Sequence, residues 1–285
     1  MPHLRTFLYP ILMAAMMIAS LQCTQEKPMN QPNGPRTQVT ASAAVTQQFG
    51  AKCLDFPVPA SNGGYAILPA KTRASGRHPW IYYAPSFIGQ LPAAEHEWYF
   101  TQLLDAGFAI CGVDVGESFG SPAGRAAYTE LWRIVTTELR LDRQACLLPQ
   151  SRGGLMLYNW AAENPDKVRC VGGIYTVCNL RSYPGLDNAC GAYGLTAAQL
   201  ESQLAEHNPI DRLAPLAAAG IPILHLHGDM DTVVPLEHNS AELIRRYQAL
   251  SGPGELIVVP SKGHEVCPEF FHRPELVEFF VRCGG

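Results

Sequence analysis

From about residue 51 to the C-terminus, short apolar runs of strand length alternate with stretches of helical spacing. This alternation constrains the fold more than any other feature. Strand-like runs fall at residues 64–69, 80–84, 108–115, 145–149, 168–177, 221–227 and 256–260. Helical patterns fall at 93–106, 126–139, 155–163, 196–207, 236–250 and 274–282, and Asn208 with Pro209 opens a further helix that stops at Gly220. Trp98, Leu103 and Leu104 share one side of the first helix, and Thr196 with Gln199 forms a capping-box pair. Strands that each feed a helix imply βαβ units: an α/β fold with a mainly parallel central sheet and helices on both faces. In such sheets the working residues gather beyond the carboxyl ends of the strands. No glycine-rich phosphate loop follows the early strands, which weighs against a nucleotide-binding role.

Composition narrows the class. Of 285 residues, 47% are apolar and 16% charged, which excludes a disordered chain and leaves ample material for a core. The formal charge is -4, with no run of like charge, so no nucleic-acid partner is expected. Residues 1–23 read as an export signal: His3 and Arg5 precede an apolar run at 7–21, with Ala14, Ala15, Ala19 and Ser20 toward its end. An anchor that stays on is the other reading. Cys23 stands where a lipoprotein cysteine would, although Ser20-Leu21-Gln22 departs from the usual lead-in. Residues 24–50, polar and carrying Pro28, Pro32 and Pro35, read as a flexible tether to a domain at 51–285. The expectation is a periplasmic or secreted protein that meets a membrane only through an N-terminal anchor or a lipid at Cys23.

Nine cysteines, eight without Cys23, fit an oxidising compartment. Cys178 and Cys190 flank Tyr183-Pro184-Gly185 and are the first expected disulfide; Cys267 with Cys283 is the second. Cys111, Cys146 and Cys170 lie inside strand-like runs and read as small buried apolar residues. The absence of CxxC and HExxH argues against a structural zinc site.

Ser151 lies between a strand and a helix, followed by Gly153 and Gly154. A nucleophile elbow needs such a turn with small neighbours, although Pro149 replaces the usual first glycine of G-x-S-x-G. Alone, Ser151 reads equally well as a helix N-cap. Two further segments change the weighing. Gly228-Asp229-Met230-Asp231 follows the strand at 221–227, and Lys262-Gly263-His264 follows the strand at 256–260. The order is serine, aspartate, histidine, each after its own strand. A serine hydroxyl needs a base, imidazole titrates near neutrality, and a carboxylate fixes the imidazole tautomer.

Residues 64–280, through Ser151-Arg152-Gly153-Gly154, the segment from His227 to Pro235, and Lys262-Gly263-His264, resemble the α/β-hydrolase superfamily. The likeness is greatest to secreted bacterial esterases and the prolyl-oligopeptidase and dienelactone-hydrolase branch. It implies an α/β-hydrolase fold with a small cap after the sixth strand, at about residues 178–213. Ser151 becomes the nucleophile, His264 the base and Asp231 the acid, because Asp231 stands just before Thr232-Val233-Val234-Pro235. Asp229 reads as a turn former. The expected oxyanion donors are the backbone N–H of Arg152 and, by the same resemblance, that of Phe87, with Ser86 as the alternative.

Ser86, Glu117 and Tyr175 are expected at the substrate. Glu117 reads as a partner that holds Arg152, as a contact to a polar substrate, or as a solvated carboxylate. At least one of His225 and His227 should be core. His96, His207 and His238 read as surface, and Trp132 and Trp160 as core. The implied activity is cleavage of carboxylic esters, on acylated carbohydrate or small molecules, through an acyl-enzyme and without metal or organic cofactor. The alternatives are a serine peptidase of the prolyl-oligopeptidase type, for whose large extra domain the length leaves little room, and a catalytically silent binding domain.

Overall fold

A computed structural model describes residues 38–71 and 76–284. The apolar run at 1–23, Cys23 and the tether as far as residue 37 lie outside the described residues. Nine strands form one sheet: β1 (Ala44–Gln48), β2 (Ala51–Phe56), β3 (Gly63–Leu68), β4 (Trp80–Ala84), β5 (Ala109–Asp114), β6 (Ala145–Pro149), β7 (Val168–Ile174), β8 (Ile223–Gly228) and β9 (Gly254–Val259). Their spatial order is β1-β2-β3-β5-β4-β6-β7-β8-β9. The pairs from β5 through β4 to β9 are parallel, whereas β1, β2 and β3 are antiparallel.

Period-two alternation distributes each central strand between two cores. Trp80, Tyr82 and Ala84 of β4 join one, and Ile81 and Tyr83 join the other. The first core packs under α2 (Pro122–Thr137) and α3 (Gly153–Glu163), and the second under α1 (Glu97–Asp105). All five residues of β4 and of β6 are buried, as expected of parallel strands covered on both faces. Helix α2 starts earlier than its apolar pattern suggests, because Ser121 caps Gly124 N–H and Pro122 occupies the first turn.

Beyond β7 lies the cap, built from α4 (Leu186–Ala189), α5 (Ala197–Ser202), α6 (Leu204–His207) and α7 (Ala214–Ala218). The expected helix at 196–207 is broken between α5 and α6, while its Thr196–Gln199 capping box forms. The cap follows the seventh strand rather than the sixth that the resemblance implied, because β1 and β2 precede the five strands read from sequence before it. Helices α8 (Ser240–Ala249), α9 (Pro268–Phe271) and α10 (Pro274–Gly284) complete the layers.

Two expectations are corrected. The tether ends before residue 50: Val39–Ser42 is a 3-10 helix, and β1 pairs antiparallel with β2. Its polar sequence hid it, since β1 is an edge strand with almost no buried side chain. The disulfides are also absent: Cys178, Cys190, Cys267 and Cys283 are all unpaired. Cys178 is buried in the sheet's first core, whereas Cys190 packs in the separate cluster of the cap. Cys111, Cys146 and Cys170 are buried as expected.

Helix α3 approaches β4 so closely that a Cβ on Gly153 would lie 2.1 Å from Ala84 O and 2.7 Å from Pro85 N. Gly153→Ala is therefore expected to destabilise the fold by about 1–3 kcal/mol. Gly191→Ala is expected within about 0.5 kcal/mol of wild type, because its Cβ would meet nothing within 4 Å. Urea unfolding of both variants checks the contrast.

Candidate active site

Ser151 occupies the turn between β6 and α3 with φ 49, in the left-handed region that a serine rarely adopts. Three backbone bonds hold it there. Its N–H donates to Ile174 O at 3.0 Å, and its carbonyl accepts from Val177 N–H at 2.8 Å and Gly154 N–H at 3.0 Å. Residues of β7 and its exit loop thus clamp the turn.

The structure brings Ser151, His264 and Asp231 together. Ser151 Oγ lies 2.8 Å from His264 Nε2, and His264 Nδ1 lies 2.7 Å from Asp231 Oδ2. A carboxylate only accepts, so Nδ1 carries the proton and Nε2 presents its lone pair to the Ser151 hydroxyl. Asp231 Oδ1 accepts from Val233 N–H at 3.0 Å and Val234 N–H at 2.8 Å. Burial pushes the Asp231 pKa up. Hydrogen bonds from His227, His264 and Val234 N–H outweigh that and hold it well below the usual carboxylate range. Asp229 is tied elsewhere: its Oδ1 accepts from Ser261 N–H at 2.7 Å, which braces the turn leading to His264.

Glu117 pairs with Arg152 at 3.0 Å, one of the three readings made for it. Both side chains are partly exposed, so the pair contributes at most about 1 kcal/mol and acts mainly by position. The Arg152 guanidinium also lies over the Phe87 ring, 5.3 Å from its centroid.

Three expectations need correction. Phe87 N–H donates to Leu91 O at 3.2 Å and is engaged within its own loop. Among the described residues, the N–H groups of Arg152 and Ser86 have no acceptor. The Ser86 side chain is buried, with its hydroxyl donating to Tyr83 O at 3.2 Å, so it is withheld from substrate. Tyr175 is buried too. Its ring packs 4.4 Å from that of His264, and its hydroxyl accepts from Gln150 Nε2 at 3.0 Å. It therefore supports the histidine rather than lining an open pocket.

Sequence reasoning missed the supporting groups. His96, expected on the surface, is fully buried: its Nε2–H donates to Gln150 Oε1 at 2.8 Å, and Tyr83 O–H donates to the same oxygen at 3.0 Å. Burial lowers the His96 pKa. His207, also expected on the surface, is buried beside Arg125 and Tyr193, whereas His238 is exposed. His225 and His227 are both buried. Trp160 is core and Trp132 half-buried. The one available signal was position: Gln150 directly precedes Ser151, and His227 stands four residues before Asp231.

The sequence matches no family model and no curated protein. Solved structures do match. The S-formylglutathione hydrolase of Agrobacterium tumefaciens aligns at TM-score 0.68 and 13% identity, over 85% of this chain and 99% of that one. A truncated carbohydrate esterase from gut microbiota aligns at TM-score 0.62 and 17% identity, over 88% and 99%. The acylaminoacyl peptidase of Pyrococcus horikoshii aligns at TM-score 0.60 and 17% identity, over 81% of this chain but only 41% of its own. With its largely parallel nine-stranded sheet, its antiparallel N-terminal strands and these neighbours, the chain has the α/β-hydrolase fold.

Proposed function

We propose that this protein is an exported serine hydrolase that cleaves carboxylic esters. The observation that carries the reading is the continuous chain from Ser151 Oγ through His264 to Asp231, at 2.8 Å and 2.7 Å, on a turn with strained backbone. Strain of this kind persists only where surrounding structure over-determines it, and it concentrates at functional sites.

In the proposed reaction, Ser151 Oγ attacks the ester carbonyl while its proton passes to His264 Nε2. The carbonyl oxygen becomes an oxyanion, for which the unengaged N–H groups of Arg152 and Ser86 are the proposed donors. Asp231 stabilises the imidazolium that forms. His264 then gives the proton to the departing alkoxide, leaving an acyl group on Ser151. Water attacks the acyl-enzyme by the same steps in reverse. The two neighbours matched along nearly their whole length are named as an S-formylglutathione hydrolase and a carbohydrate esterase, which favours ester over peptide substrates.

The first test is Ser151→Ala, expected to lower kcat on a short-chain chromogenic ester by on the order of 10⁴–10⁶ with an unchanged melting temperature. Labelling of the wild type by a fluorophosphonate, lost in the variant, places the nucleophile; near-wild-type turnover by folded Ser151→Ala would end the reading.

The second test separates the two aspartates. Asp231→Asn keeps the shape but replaces one acceptor oxygen by a donor, favouring the wrong His264 tautomer, with an expected loss on the order of 10⁴ in kcat. Asp229→Asn retains an acceptor for Ser261 N–H and is expected to stay within about tenfold of wild type. Steady-state kinetics and thermal unfolding of both variants decide; the opposite ranking would reassign the acid.

A further inference from the structure

Beyond Asp231 the hydrogen bonding continues into the molecule. His225 and His227 alternate on β8 and so face the same side, toward α3 and α8. Both are fully buried. His227 Nε2 lies 2.8 Å from Val234 O and 3.3 Å from Asp231 Oδ2. His227 Nδ1 lies 2.7 Å from Ser240 Oγ, and the same oxygen lies 2.8 Å from His225 Nδ1. His225 Nε2 lies 2.6 Å from the Tyr158 hydroxyl.

Donor and acceptor counting orders this chain. A carbonyl and a carboxylate only accept, so His227 Nε2 carries a proton. If His227 Nδ1 were protonated as well, Ser240 would turn its hydrogen to His225. His225 would then donate from Nε2 to Tyr158, leaving the buried Tyr158 hydroxyl hydrogen with no acceptor. The reverse direction satisfies every group. Tyr158 O–H donates to His225 Nε2, His225 Nδ1–H to Ser240, Ser240 O–H to His227 Nδ1, and His227 Nε2–H to Asp231 and Val234. Burial, reinforced by His227, brings the His225 pKa down to about 3, so His225 stays neutral. Burial keeps Tyr158 protonated. Asp231 thereby receives four N–H donors: Val233 and Val234 on Oδ1, and His264 and His227 on Oδ2.

We propose that His227 is a positioning residue for the catalytic acid, and that Tyr158, His225 and Ser240 hold it in the one tautomer able to do so. The proposal rests on Ser151, His264 and Asp231 acting as the triad. Its content is twofold. The His227 N–H fixes the rotation of the Asp231 carboxylate about its side-chain bond, and it withdraws part of the charge that Oδ2 would otherwise direct at His264. Other titratable groups facing the cluster are Tyr175 on the His264 side, with Cys178 and Tyr247 near Tyr158 on the inner side. Burial raises the pKa of each of these three. Asp229 and Lys262 lie on the adjoining loops, tied to Ser261 N–H and to Glu269 respectively.

The experiment measures kcat, KM and the pH dependence of kcat/KM on a short-chain ester for the wild type, His227→Leu, His227→Gln and Ser240→Ala. Folding of each is checked by near-ultraviolet circular dichroism and thermal unfolding. His227→Leu is expected to lower kcat roughly 10- to 100-fold, the effect of one hydrogen bond to a charged group, with KM nearly unchanged. Its acid limb should move up by about 0.5–1 pH unit, because Asp231 with one donor fewer holds the His264 imidazolium more strongly. His227→Gln, whose amide N–H reaches toward the same oxygen, should recover most of the rate and the wild-type limb. Ser240→Ala should shift the limb in the same direction by less. A folded His227→Leu with wild-type rate and limb, or a His227→Gln as impaired as the leucine variant, overturns the proposal. If His227→Leu does not fold, an unmoved limb in folded Ser240→Ala overturns it. An active Ser151→Ala would remove the triad itself, an outcome distinct from all of these.

Discussion

The close approach of the β6–α3 turn to its neighbours is the constraint on which the site depends. Gly153 lies against the Ala84–Pro85 peptide, and a Cβ on Gly154 would come within 2.2 Å of Val177 O. These contacts leave no room for larger residues and force the chain through a left-handed conformation at Ser151. Such a conformation costs on the order of 1–3 kcal/mol. Backbone bonds from β7 and the following loop, together with complete burial of β6, offset it. The serine oxygen is therefore aimed by the packing of the sheet rather than by its own preference.

Two polar networks meet at this turn from opposite sides of the sheet. On the side of α1, Gln150 accepts from His96 and Tyr83 and donates to Tyr175, whose ring packs on His264. On the side of α8, Asp231 is surrounded by backbone and imidazole donors. Unsatisfied polar groups would be costly at this depth, and each member here has a partner. The histidine between the two networks, His264, keeps 17% of its side chain exposed, as the proposed proton exchange with substrate requires.

The cap illustrates a different division. Its helices are short: α4, α5 and α6 pack on a small cluster that includes Leu155, Val177 and Leu200, whereas Leu216 of α7 joins the first main core. Tyr193 ties it to the loop after β5 by donating to Phe119 O at 2.7 Å. Arg152, held by Glu117 and laid over Phe87, stands directly after Ser151. Side chains at the mouth are thus braced to one another, although each exposed pair contributes little stability.

The sequence by itself determined the layered α/β architecture, because strands buried on both faces must be apolar throughout and helices over them must carry one apolar face. It also singled out Ser151, Asp231 and His264 as candidates, because each stands just beyond the carboxyl end of its own strand. It could not show β1, an edge strand whose side chains are mostly exposed and therefore follow no apolar pattern. Nor could it settle the cysteines: Cys178 and Cys190 are near in sequence, but the fold sends them to separate clusters. The occupied N–H of Phe87, the buried hydroxyl of Ser86 and the burial of His96 were likewise invisible. Each depends on which loop or helix lies opposite. A side chain's chemistry is written in its residue type, whereas its partners and its access to water are decided only when distant segments pack against it.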